Sequence, residues 1–148
     1  MKFTTQTPGK TVYETYATVR EYILQRIQKN YDSGYDIVQA IKDGKDKDWD
    51  AIEPIMEMAQ PDSNISDADE REKNQQFQQD MNKIAYQEKL GRHLDRKREV
   101  EQGLLKAYTK IYMNFCTKTM QQRIEEHPDF ATTIENNPIT LLEVIKQL

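Results

Sequence analysis

Cysteine is almost absent: Cys116 stands alone among 148 residues, which excludes an internal disulfide framework and any cysteine-rich zinc site and points to a reducing compartment. Glycine and proline number five each, so the chain has few breakers and helix is favoured over a strand-and-turn architecture. Long apolar runs are missing too. No stretch approaches the roughly 18 apolar residues that a membrane span requires. The opening "MKFTTQTPGKTVYETYATVR" lacks the charged, apolar and small-residue succession of a secretory leader, so the expectation is a cytoplasmic protein with no membrane partner.

What the chain does contain is charge and side-chain amide. Hydrophobic residues make up 36% and charged residues 31%, proportions that suit long solvated helices with at least one disordered segment rather than a compact sphere. The net charge of −4 is unevenly spread. Residues 43–80 carry twelve acidic and four basic side chains, a net of −8, whereas residues 83–110 carry eight basic and four acidic, a net of +4. The two stretches suit pairing within one chain or between copies, which would make association sensitive to salt.

Periodicity then places the elements. Val12, Tyr16, Val19, Ile23 and Ile27 recur at steps of three and four between Lys10 and Tyr31, predicting an amphipathic helix that ends at Ser33-Gly34. Ile37, Val38 and Ile41 predict a shorter helix closed by Gly44. Trp49, Ile52, Ile55 and Met56 suggest a third, capped by Asp48 or Asp50, with Pro54 in its first turn. The acidic "QPDSNISDADEREK" reads as a mobile connection leading to a helix start, where Ser66 with Asp69 or Asp67 with Glu70 supplies the cap.

The longest helical pattern follows. Phe77, Met81 and Ile84 form one stripe, and Leu90, Leu94, Leu104, Tyr108, Ile111 and Phe115 continue it across the charged gap "RHLDRKREVEQ". Local pairs such as Glu88 with Arg92 and Asp95 with Arg98 sustain that gap, each worth about 0.2–0.5 kcal/mol. Gly91 and Gly103 mark places for a bend or break. Tyr108, Ile111 and Phe115 are expected at the centre of the core. Pro128 interrupts the pattern, and a closing helix begins with Asn137 as cap and Pro138 in the first turn, followed by Leu141, Leu142, Ile145 and Leu148 at helical spacing. The fold class is therefore all-α, with one long charged helix and short helices at both ends. Its expected organisation is an N-terminal helical region over 1–60, an acidic linker over 61–70, and the long helix leading into a further helical domain over 71–148.

Little in the chain points to chemistry. In "DKDWDAIEPIME", Asp46, Asp48, Asp50 and Glu57 occupy the ligand positions of a calcium-binding loop, but Ala51 stands where that loop needs glycine and Glu53 where it needs an apolar residue. His93 and His127 are not at metal-ligand spacing and read as surface residues. Cys116 lies in an apolar run, where a free thiol packs as a small hydrophobe. No phosphate-cradling loop and no nucleophile–base arrangement occurs, so the expectation is no enzyme, no cofactor, no metal and no small-molecule substrate. Arg92, Arg96, Lys97 and Arg98 are the candidate for weak RNA contact, although Asp95, Glu99 and Glu101 interrupt them and no aromatic platform accompanies them.

From Tyr86 onward a set of features runs in one order: a charged helix into Lys106-Ala107-Tyr108, an apolar stretch to Cys116, Met120-Gln121, Arg123-Ile124-Glu125, Asp129-Phe130, and "IENNPITLLEVIK". In that order they resemble the N-terminal capsid region of Gag polyproteins of copia-type LTR retrotransposons. The "YDSGYDIVQAIKDGKDKDWDAIEP" and "SDADEREK" segments extend the likeness over most of residues 25–148. The resemblance implies a structural protein that self-associates into a particle shell packaging the element's RNA. It also implies that further capsid helices and a zinc knuckle would follow, so RNA binding would fall mainly to that downstream part. On this reading the chain is a truncated front part of Gag, and Leu141, Leu142, Ile145 and Leu148 form an uncovered stripe through which copies associate. The alternative from residues alone is a non-catalytic helical adaptor.

Overall fold

The computed structural model describes the backbone of residues 1–4 and 12–148, and the side chains of all of these except 12–14. Among these residues every regular element is helical: α1 Val12–Asn30, α2 Gly34–Asp43, α3 Ala68–Lys110, α4 Lys118–Glu125 and α5 Pro138–Gln147, with π-helical turns at Ile111–Phe115 and Phe130–Ile134. The chain is all-α, with one long helix and short ones towards both ends. Lys10, the expected start of the first helix, and the side chain of Val12, the first residue of its stripe, lie outside the described residues.

Two compact units emerge, divided otherwise than at 61–70: Met1–Lys47 with Arg98–Leu148, and Asp48–Lys97. In the first, α1 buries Tyr16, Val19, Ile23 and Ile27, the stripe read from spacing. Its end is enforced locally. Ser33 adopts a left-handed conformation (φ 54°), and a Cβ on the buried Gly34 would stand 2.8 Å from the Gln28 carbonyl oxygen, so only glycine lets the chain turn there. α2 returns against α1, burying Ile37, Val38 and Ile41, and stops at Gly44, whose φ of 75° is the left-handed cap expected of it.

The second half of this unit supplies the other side of the core. Val100, Ala107, Tyr108, Ile111 and Phe115 are buried, as expected for the last three, and each fully buried aliphatic side chain contributes roughly 1.5–3 kcal/mol. Thr117 caps α4 by accepting the Met120 N–H at 3.2 Å, and Met120 and Ile124 then face inward. Asn137 caps α5, its side-chain oxygen accepting the Ile139 and Thr140 N–H groups at 3.1 and 3.3 Å, with Pro138 in the first turn. Both readings of the closing helix's start hold. Phe3 adds a contribution that periodicity could not show: it is buried, stacks on Tyr16 with ring centroids 5.6 Å apart, and donates its N–H to the Phe115 carbonyl at 2.8 Å.

The second unit corrects one expectation. Residues 48–67 form no helix; turns at 49–52 and 63–64 are joined by chain without regular secondary structure. Pro54 lacks an N–H and Pro61 disfavours helix at the residue before it, so the spacing of Trp49, Ile52, Ile55 and Met56 never becomes a helical face. Trp49 alone of the four is buried. Asp67, rather than Ser66, caps α3, accepting the Asp69 and Glu70 N–H groups at 2.8 and 3.2 Å. Gly91 and Gly103 break nothing, since α3 continues through both. A Cβ at Gly103 would fall on Ile37 Cδ1, so this glycine is the point where α3 approaches α2.

Candidate interaction surface

Within Asp48–Lys97, α3 uses its two faces differently. On one, side-chain amides hold, by its backbone, the irregular segment that precedes the helix. Gln79 Oε1 accepts the Ala59 N–H at 2.8 Å, Gln75 Nε2 donates to the Ala59 carbonyl at 3.2 Å, and Asn82 Nδ2 donates to the Glu57 carbonyl at 3.2 Å. Arg71 closes the end of the run, its Nε donating to the Ile65 carbonyl at 3.0 Å and an Nη to that of Ser66 at 3.2 Å. At the other end Trp49 meets His93 edge-on, ring centroids 5.8 Å apart, and carries the Arg96 guanidinium 5.4 Å from its ring centroid. Gln75, Gln79 and Asn82 fall at steps of four and three, which was a readable signal. Amide content by itself indicates solvation; the spacing is what marks a common face.

The opposite face of α3 is apolar and bare. Phe77, Met81 and Ile84 follow the same four-and-three spacing and are 60%, 49% and 59% exposed. Seven of the twelve large hydrophobic residues exposed among the described residues belong to this unit: Ile52, Ile55, Met58, Phe77, Met81, Ile84 and Leu94.

The other predicted sites fare as follows. Leu141, Leu142 and Ile145 are 0%, 2% and 4% exposed, Leu148 is half-buried, and Tyr16 donates its hydroxyl to the Leu142 carbonyl at 3.1 Å. The expected uncovered stripe is therefore already covered, by α1, α2, α4 and the second π-helical turn. All of these elements precede α5 in the chain, whereas the resemblance implies covering helices downstream of it. Arg92, Arg96, Lys97 and Arg98 are not gathered on one face. Arg92 and Arg96 share a side of α3, Arg92 lies 3.4 Å from Glu88, Arg96 is engaged with Trp49, and Lys97 and Arg98 project elsewhere round the helix.

Cys116 is buried, and burial pushes its thiol up to about 12, so it packs as the hydrophobe expected and is not poised as a nucleophile. His127 Nδ1 accepts the Asp129 N–H at 3.1 Å and is engaged in its own turn. Tyr112 donates its hydroxyl to Glu125, and burial together with that carboxylate raises its pKa. In the acidic loop, Asp46 accepts the Lys47 N–H at 2.8 Å and Asp48 that of Ala51 at 3.2 Å. Among the described residues no group of three or more His, Cys, Asp or Glu side chains is placed to hold a metal ion. The unit of Met1–Lys47 and Arg98–Leu148 has an open groove of about 690 Å³ beside Tyr31, Glu99, Gln102 and Lys106. No helix among the described residues is long and apolar enough to cross a membrane.

Set against protein-family models, curated proteins and solved structures, the chain matches none.

Proposed function

We propose that this chain is a structural, non-catalytic protein that works by self-association: a capsid-type segment of a copia-type Gag polyprotein, which builds a shell around the element's RNA. The observation that carries the assembly reading is the concentration of exposed apolar side chains in Asp48–Lys97, with Phe77, Met81 and Ile84 aligned along one helix face. Water-facing apolar residues at helical spacing favour a protein partner. The ordered resemblance over residues 25–148 supports the particular family. The mechanism is repeated weak contacts between helical surfaces, stabilised by avidity.

RNA contact through Arg92, Arg96, Lys97 and Arg98 is weak on this reading, because the cations are spread around α3 and share it with acids. Light scattering and sedimentation of the full chain across concentration, with and without RNA, test the proposal. Growth to large assemblies supports it. Arrest as a stable monomer or dimer at every concentration refutes it and favours the adaptor.

A further inference from the structure

We infer that the Phe77–Met81–Ile84 face docks antiparallel on the same face of a second copy, with a two-fold axis passing beside Met81. This deepens the self-association reading by naming its contact.

The argument is charge register. On this face and its edges, Glu70 and Lys73 precede the apolar stripe, and Glu88 and Arg92 follow it, all exposed. A second helix running parallel in register would set Glu70 against Glu70, Lys73 against Lys73 and Glu88 against Glu88. Reversing it about Met81 brings Phe77 to Ile84, Lys73 to Glu88 and Glu70 to Arg92, and two-fold symmetry makes each contact twice. Like charges meet at one place. Asp80, which accepts a hydrogen bond from Gln76 at 2.9 Å, approaches its own copy at the edge of the stripe.

Three apolar side chains per copy cover far less than the about 800 Å² per partner that a stable complex buries. A single contact is therefore weak, and the face suits a lattice in which many act together.

Sedimentation velocity of the full chain, with circular dichroism to check folding, provides the test. Because the stripe is exposed, Phe77→Glu with Ile84→Glu leaves the fold intact and weakens dimerisation at least about tenfold, since charge is forced into an apolar contact. Lys73→Glu alone and Glu88→Lys alone each weaken it about threefold or more by placing like charges opposite, and the two together restore it. Disulfide trapping fixes the direction. Phe77→Cys combined with Ile84→Cys cross-links between copies and Phe77→Cys alone does not, because antiparallel pairing separates the two Phe77 positions by about seven residues, or 10.5 Å.

Association that survives the double glutamate variant, that the paired charge swap fails to restore, or that cross-links through Phe77→Cys alone overturns this contact while leaving self-association standing. A dimer that meets all these tests yet never grows larger keeps the contact and removes the capsid reading. A parent chain that stays monomeric at about millimolar concentration, where even a very weak contact would be populated, removes both.

Discussion

At the scale of single residues, the two helix-interior glycines of α3 are expected to behave oppositely. Gly91 has open space where a Cβ would go, so Gly91→Ala stabilises by about 1 kcal/mol through helix propensity alone. At Gly103 the same substitution drives a methyl into Ile37, and the overpacking costs about 1–3 kcal/mol despite the gain in propensity. Urea titrations of both variants should give midpoints displaced in opposite directions from the parent. Phe115→Ala removes a buried ring and should cost about 3–5 kcal/mol in the same assay. Cys116 adds a pH dependence. Its folded pKa lies above its unfolded value, so the stability it contributes is complete below pH 9 and is lost as pH rises from 9 towards about 12. Tyr108 and Tyr112 shift the same way, chiefly through burial. Denaturant midpoints should therefore fall between pH 8.5 and 10.5, and Cys116→Ala should flatten part of that fall.

At the scale of elements, what could be read from the sequence was what neighbouring residues decide. The Gly44 stop, the Asn137 cap and Pro138 start, and the stripe of α1 are consequences of backbone sterics, capping and a 3.6-residue period, all local. Around Ile52 and Ile55 the apolar spacing points to a helix that Pro54 and Pro61 oppose. The covering of α5 was missed because it depends on Tyr16 and its neighbours, more than a hundred residues earlier. The exposed stripe and the amide clasp are both present as patterns, but only the structure separates a face that holds the irregular segment from one whose apolar side chains stand exposed. Replacing Leu142 and Ile145 by Glu is accordingly expected to unfold the first unit, with loss of near-ultraviolet dichroism and much of the helicity. Gln79→Ala leaves the half-buried Ala59 N–H without its partner, at a cost of about 1 kcal/mol. Limited proteolysis should then cut faster within residues 53–66, with the rest of the chain no more susceptible than before.

At the scale of the molecule, one unit is contiguous in the chain and the other is not: Asp48–Lys97 lies between the two pieces, Met1–Lys47 and Arg98–Leu148, that together make one core. That arrangement sets an order of events on the ribosome. Ile23, Ile27, Ile37 and Ile41 leave the exit tunnel long before Ile111, Met120 and Leu141, the residues that complete their core, have been made. The intervening unit has little core of its own to lend meanwhile, since Trp49 is its one buried hydrophobic side chain among the described residues. For that interval the inner faces of α1 and α2 have only each other, and a two-helix hairpin of about thirty residues cannot bury enough apolar surface to hold alone. The nascent chain thus passes through a stage in which its first helices are made but uncovered, and they are the natural substrate for a ribosome-associated chaperone until the last forty residues arrive.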